Sequence, residues 1–432
     1  VTGQQLRDIS NASLQKKIAL QFCAENQRSL ASVQLFYKHT CKLFSPHAFS
    51  FFLIVSILMS TPSSVTARTL FNPVQIGDLQ LTNRIVMAPL TRNRSPNAVP
   101  PPMVATYYAQ RASAGLIISE ATAITHQAQG YSDVPGLYGA DQLEAWKRVT
   151  DGVHEKGGKM VVQLWHVGRV SHVDLQPNGG KPVAPSAITA KTKTVLIQDG
   201  VPTFVDTSEP RALETEEMPD LVNSFKVAAR NAVDVAGFDG VEVHGANGYL
   251  LDQFLRSGSN KRTDQYGGSI ENRARLLLDI MRTITDDIGG GRTGIRLSPV
   301  TPANDSLDTD PQPLFDYVVR QLATMNLAYI HIIEGSTGGA RELEEQPFDY
   351  TALKAAYHDA GGNGAWMVNN GYDLALAEHA VGNGADLIAF GRPFIANPDL
   401  VERLRTKAEL NPQDRATFYG GTEKGYIDYP TL

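Results

Sequence analysis

The sequence predicts a (β/α)8 barrel with a β-hairpin before its first strand and a long insertion after its third. Three observations carry this. Eight short apolar runs rich in Val and Ile alternate with helical patterns across residues 84–404, and such strands separated by helices mean a parallel sheet covered by helices. Eight units of this kind fit a closed barrel better than an open sheet. Several runs also stop abruptly at polar side chains, as strands do where they reach the C-terminal mouth of a barrel.

In chain order, residues 1–68 form an extension unlike the rest. They carry seven Lys and Arg against two acids and hold both cysteines, Cys23 and Cys41. Their apolar run Phe49–Met59 is short for a bilayer span and sits too deep for a secretory signal. The natural start is expected at Met59, with an organelle presequence or a membrane-associated segment as alternatives. The barrel is expected over residues 69–432. Its composition is globular, with 42% hydrophobic and 19% charged residues in the whole chain. A net charge of −6 without a recurring basic patch argues against nucleic acid as a partner. Without cysteine, the barrel has no disulfide, thiolate metal site or cysteine nucleophile.

Val74–Leu81 alternates about a Gly77-Asp78 turn and reads as a hairpin closing the barrel bottom. The eight strands are expected at Arg84–Pro89, Leu116–Ala123, Lys159–His166, Gly240–Gly245, Thr293–Pro299, Ala328–Glu334, Ala365–Asn369 and Ala385–Arg392. Helices are expected at Asp141–Glu155, Pro219–Ala236, Ile270–Asp287, Pro313–Met325, Leu374–Val381 and Pro398–Leu404. Residues 167–214, between the third strand and its helix, are polar, contain Pro and Gly and show no strong periodicity. A stretch this long is expected to be a lid over the mouth rather than plain linker. Beyond the fourth strand, the chain to Gly268 reads as a long polar loop.

The strand ends hold the candidate chemistry. Asn369-Asn370-Gly371 and Phe390-Gly391-Arg392 each set a glycine just before a helix, and the last two strands of this fold commonly bind phosphate. Arg296 lies in an otherwise apolar strand, which requires either an internal carboxylate partner or a ligand carrying negative charge. Gln163 offers both a donor and an acceptor, suiting an amide-containing ring; a satisfied interior polar group is the alternative. His244 and Asn247 could donate to one substrate oxygen, and Tyr249 could give a proton. A metal at His244 and Asn247 is disfavoured, because Asn is a weak ligand and no second His has ligand spacing.

These residues sit in stretches that resemble the Old Yellow Enzyme family of FMN-dependent ene-reductases. The stretches are Leu70–Arg92, Ser119–Tyr131, Gln163–Arg169, Val241–Gly268, Gly294–Pro299, Phe390–Leu400 and Phe418–Pro430. The resemblance implies that Pro89, Leu90, Thr91 and Ala121 line the flavin ring and that Gln163 bonds its pyrimidine edge. It implies that Arg296 stabilises the reduced ring, and that Asn370, Gly371, Gly391 and Arg392 hold the phosphate. It gives His244 and Asn247 the substrate oxygen, Tyr249 the proton, and Trp165, Tyr131 and Tyr419 the pocket walls. Thr91 stands where the thermophilic-like branch has Cys. The His-Asn pair stands where typical plant oxophytodienoate reductases have His-His, which argues against a jasmonate-pathway role.

The implied activity is ping-pong reduction of α,β-unsaturated carbonyl and nitro compounds, with NADPH as hydride donor and non-covalent FMN as carrier. The implied protein is cytoplasmic, or organellar if the extension is a presequence. It is a monomer or homodimer with no stable membrane partner. A flavin-free aldolase or isomerase on the same barrel would want a catalytic Lys, and neither Lys159 nor Lys261 is well placed. A flavin-binding protein with little catalysis would not need Tyr249, His244 and Asn247 together.

Overall fold

The structure, a computed structural model, describes residues 68–199 and 201–432. The expectations for the N-terminal extension concern residues outside these, Arg68 apart. Eight parallel strands close into a barrel: β3 (Ile85–Met87), β4 (Leu116–Ala123), β5 (Met160–Trp165), β10 (Gly240–Gly245), β11 (Thr293–Leu297), β12 (Tyr329–Ile333), β13 (Ala365–Asn369) and β14 (Leu387–Phe390). They neighbour one another in chain order, and β14 closes the ring on β3. The expected strands ending in Pro89 and Pro299 both stop short of the proline, which cannot donate to a ladder.

Period-two alternation sorts the strand residues. Ile85, Ile117, Val162, Val243, Ile295, Ile330 and Val368 join the large core beneath the helices. Val86, Leu116, Ile118, Val161, Tyr329, Met367 and Leu387 form a second cluster inside the barrel. β1 (Val74–Ile76) and β2 (Leu79–Leu81) pair as the expected hairpin, and their Ile76, Leu79 and Leu81 belong to that inner cluster. Gly294 is required here, because a Cβ would stand 2.3 Å from the Tyr329 ring. The inner face therefore turns polar only higher up, at Gln163, Glu242, His244, Arg296, His331 and Asn369. All six are buried.

The helices between the strands are α1 (Pro102–Ala109), α2 (Ala140–His154), α3 (Met218–Arg230), α4 (Leu250–Leu255), α5 (Ile270–Ile288), α6 (Pro311–Leu322), α7 (Tyr350–Asp359), α8 (Leu374–Gly382), α9 (Arg392–Ala396) and α10 (Leu400–Thr406). Where a polar loop was expected after the fourth strand, Leu250–Leu255 coils into α4. The six residues of α4 are all buried. The Asp373 carboxylate accepts the Leu376 N–H at 2.9 Å and caps α8. Replacing a cap of this kind usually costs about 1 kcal/mol, so Asp373→Ala should lower the unfolding free energy by that amount, read from denaturant titration, with flavin content unchanged.

Residues 167–214 contain structure that the polar composition concealed. β6 (Val183–Ala184) pairs with β9 (Arg211–Ala212), and β7 (Lys193–Gln198) forms an antiparallel hairpin with β8 (Val201–Asp206). The segment is anchored to the barrel top. Arg169 donates to the Ile188 carbonyl at 3.1 Å and to the Asp305 carbonyl at 2.7 Å, and the Ser132 N–H donates to the Val195 carbonyl at 2.9 Å. Among the described residues, no helix is long and apolar enough to cross a membrane.

Candidate active site

The inward polar residues form a connected floor under the barrel mouth. The Glu242 carboxylate accepts from Gln163 Nε2 at 2.7 Å through one oxygen and from His331 Nδ1 at 2.8 Å through the other. Burial holds His331 below its usual pKa, so the neutral ring donates its Nδ1–H in a hydrogen bond to the carboxylate. Glu242 thereby fixes the Gln163 amide. Its NH2 turns toward the carboxylate, and its Oε1 receives no donor from the described residues.

Arg296 lies beside this pair, and no carboxylate among the described residues is at ion-pair distance from it. One terminal nitrogen donates to Asn369 Oδ1 at 2.7 Å, and its Nε is buried without a partner. Burial lowers its pKa to about 10, partly offset by the Glu242 charge, so it remains a cation at neutral pH. The internal ion pair considered for Arg296 is therefore not what it makes directly. A buried cation with an unsatisfied donor calls for an anionic or electron-rich ligand.

Above the floor stand the three residues at the end of β10. The Ala246 N–H points at His244 Nδ1 at 3.3 Å, which leaves the proton of a neutral imidazole on Nε2. Burial first, then the Arg296 charge and the neighbouring His331, push the His244 pKa far down. Asn247 adopts a left-handed backbone, φ +58°, a conformation that Asn tolerates well. Its N–H donates to Ser298 Oγ at 2.8 Å, and its carbonyl accepts from Asn304 Nδ2 at 2.9 Å. Its side-chain Oδ1 accepts from the Thr337 hydroxyl at 2.6 Å, while Nδ2 has no acceptor among the described residues. Two N–H donors, His244 Nε2 and Asn247 Nδ2, are thus left for a ligand.

Tyr249 packs edge-on against Trp165 at 5.0 Å and against His244 at 5.1 Å. Its hydroxyl meets that of Tyr131 at 3.2 Å, and burial raises the pKa of both phenols. Tyr131 stacks on Trp165 at 5.7 Å, so three aromatic rings and His244 form one wall. Trp165 Nε1 is buried without a hydrogen-bond partner among the described residues.

Buried ties also fix the ground beneath these residues. Arg256 pairs with Asp252 at 2.7 Å and donates to the Pro299 and Ser298 carbonyls at 2.7 and 2.5 Å, while the Gly248 N–H donates to Asp252 at 2.8 Å. This binds α4 and the end of β10 to the end of β11.

Pro89, Leu90 and Thr91 follow β3 and are half-buried, and no described residue hydrogen-bonds the Thr91 hydroxyl. Ala121 lies on β4, buried beside Trp165 in a small apolar cluster. After β13 and β14, Gly371 has φ +67° and Gly391 leads directly into α9. The Arg392 guanidinium donates to the Gly338 carbonyl at 2.6 Å.

The Asn370 amide is already engaged, donating to the Glu334 and Ser336 carbonyls at 2.7 and 2.9 Å and accepting the Gly338 N–H at 3.1 Å. Its side chain clamps the loop after β12, which leaves its backbone N–H as the group to meet an anion. Tyr419 is 66% exposed, on a C-terminal segment whose Phe418 and Gly425 carbonyls accept from Arg92 at 2.8 and 2.9 Å. Tyr131 and Tyr249 have their pKa raised first by burial and further by Tyr419, which neighbours both.

The residues present fit a flavin. A buried cation without an anion, an acceptor fixed at Gln163, a free hydroxyl at Thr91 and glycines at two strand ends make a donor set suited to an amide-bearing, phosphorylated ring. Sequence reasoning missed Glu242, His331 and Thr337. The first two were visible as polar residues interrupting apolar strands, and Thr337 left no comparable signal.

A parallel barrel carrying such a set at its C-terminal mouth belongs to the class of flavin-binding oxidoreductases. Residues 69–411 match the NADH:flavin oxidoreductase / NADH oxidase family. A putative 12-oxophytodienoate reductase 11 from Oryza sativa subsp. japonica is 44% identical over 366 residues, 84% of this chain and 97% of that protein. The 12-oxophytodienoate reductase 1 of the same organism is 42% identical over 382 residues, 87% of this chain and 97% of that one. Among solved structures, morphinone reductase has a TM-score of 0.80 at 45% identity, covering 86% of this chain and 98% of its own. An Old Yellow Enzyme homologue from Zymomonas mobilis has a TM-score of 0.79 at 40% identity, covering 84% and 100%. The chain belongs to the Old Yellow Enzyme family of FMN-dependent oxidoreductases.

Proposed function

We propose that this protein is an NADPH-dependent ene-reductase that reduces the C=C bond of α,β-unsaturated carbonyl and nitro compounds. The observation that carries this is that two unclaimed N–H donors, His244 Nε2 and Asn247 Nδ2, and the protonated Tyr249 hydroxyl follow one another at the end of one strand. When bound, FMN supplies the hydride relay between the nicotinamide and the alkene. In this reading Pro89, Leu90, Thr91 and Ala121 line the flavin ring, and Gln163 meets its pyrimidine edge. Arg296 balances its negative charge. The backbone of Asn370 and Gly371, with Gly391 and Arg392, holds the phosphate.

His244 and Asn247 hold the carbonyl or nitro oxygen and favour the negative charge that develops on it. Tyr249 delivers a proton to the α-carbon. Trp165, Tyr131 and Tyr419 shape the pocket, and residues 167–214 cover the mouth and select the substrate. Nicotinamide and alkene use the same space in turn, which is the basis for ping-pong kinetics.

The test is spectroscopic. Anaerobic NADPH should bleach the flavin absorbance of the purified protein, and cyclohexenone should restore it. kcat/KM should be higher with NADPH than with NADH. Flavin that stays bleached in excess cyclohexenone would refute ene-reduction, and a colourless protein that takes up no FMN would refute the flavin site.

A further inference from the structure

Asn247 can serve as a donor only if its amide faces the right way. Turned over, it would present Oδ1 to a substrate oxygen, and two acceptors repel. Nothing on β10 or α4 settles that choice, because the Asn247 backbone groups are bound to Ser298 and Asn304 while the side chain reaches outward. The side-chain contact comes instead from the loop after β12, about a quarter of the barrel's circumference away: the Thr337 hydroxyl, 2.6 Å from Asn247 Oδ1.

The Thr337 hydroxyl has its proton available. Its other neighbour is Thr301 Oγ1 at 3.3 Å, but Thr301 donates to the Gly335 carbonyl at 2.7 Å. With its own proton spent, Thr301 can only accept, at 3.3 Å, so the single Thr337 proton goes to the much closer Asn247 Oδ1 at 2.6 Å. Its loop is also held in place. The Ser336 N–H donates to the Ala340 carbonyl at 2.8 Å, Gly338 turns the chain at φ +70°, Asn370 grips Glu334, Ser336 and Gly338, and Arg392 donates to the Gly338 carbonyl at 2.6 Å.

We propose that Thr337 is a positioning residue that locks the Asn247 amide with Nδ2 toward the substrate oxygen. This rests on Asn247 being the oxygen-holding donor proposed above. Thr337 itself touches neither substrate nor flavin in this role. Because Asn370 and Arg392 grip the same loop, the phosphate end of the flavin site and the oxygen-holding end share one support.

The experiment compares holoenzymes of the parent protein, Thr337→Val, Thr337→Ser, Asn247→Ala and the Thr337→Val/Asn247→Ala double variant. Each is titrated calorimetrically with 4-hydroxybenzaldehyde and assayed with cyclohexenone, and reduction by NADPH is timed separately. Loss of one hydrogen bond corresponds to about three- to tenfold, so Thr337→Val should weaken the phenol and raise the cyclohexenone KM by that factor. Reduction by NADPH should be unchanged, Thr337→Ser should restore the parent values, and the double variant should bind no worse than Asn247→Ala.

Parent-like phenol affinity in Thr337→Val would overturn the proposal. So would a full additional loss on adding Thr337→Val to Asn247→Ala, since Thr337 would then act by another route. If Asn247→Ala alone leaves phenol binding and KM unchanged, Asn247 is not the oxygen donor, and both claims fall together.

Discussion

Tyr249→Phe should lower cyclohexenone turnover by about 10²- to 10⁴-fold, the usual worth of a positioned general acid, and leave flavin reduction by NADPH near the parent rate. The selectivity follows from where the hydroxyl sits. The phenyl ring keeps its edge-on contacts with Trp165 and His244, so the aromatic wall survives the change. What disappears is one O–H, and with it the 3.2 Å contact to Tyr131. Hydride uptake from the nicotinamide requires no proton at the substrate carbon, whereas completing alkene reduction does. Burial raises the Tyr249 pKa, so the parent enzyme should show no loss of turnover from ionisation of this group below about pH 10, the ordinary tyrosine value. Stopped-flow traces of the two half-reactions separate the cases. An oxidative half-reaction as fast as the parent's would remove Tyr249 as the proton donor; a reductive half-reaction that slows equally would make the substitution a general disturbance of the site. Tyr131→Phe is the paired control. It removes the same contact from the other side and should slow the oxidative step far less.

The barrel was legible because its strands are buried on both faces and read as apolar runs, a signal that needs no partner to be seen. The four helices outside the expected ranges had weaker signals, α9 having only five residues. α1 is apolar nearly all round with little amphipathic contrast, α4 has only six residues, and α7 lies in a stretch whose polar start resembles a loop. The β7–β8 hairpin was missed although Asp199-Gly200 between alternating residues is a recognised hairpin signal; overall polarity outweighed it. At the site, residues near one another in sequence were singled out readily as candidates, as with His244, Asn247 and Tyr249. Residues that matter through a partner were not. Glu242 and His331 lie 89 positions apart and Thr337 and Asn247 lie 90 apart, and only closure of the barrel brings each pair together. The side chain of Asn370 shows the same dependence: the carbonyls that occupy its amide belong to a loop more than thirty residues earlier.

His244→Ala should cost about 10²–10³ in the rate of alkene reduction, the range for losing one donor to a developing oxyanion, and should weaken phenol binding in parallel. The charge state decides how clean this test is. Burial, Arg296 and His331 all disfavour the imidazolium, so His244 is neutral in the folded protein. Removing it deletes a donor but no charge. The balance between Glu242 and Arg296 beneath it is undisturbed, and FMN content should hold. Neutrality also fixes a pH signature. An imidazolium would make the His244 contribution fall as pH rises through the ordinary histidine pKa of about 6.5. With the pKa pushed well below that, the ratio of parent to His244→Ala rates should stay flat from about pH 6 to 8, where the ring is neutral throughout. A ratio that falls steadily across this interval would mean that the ring works as a cation, and the hydrogen bond assigned to its Nε2 proton would then be only part of what it contributes. Unchanged phenol affinity in His244→Ala would mean that the oxygen sits elsewhere, leaving Asn247 and its tie to Thr337 without a substrate to hold.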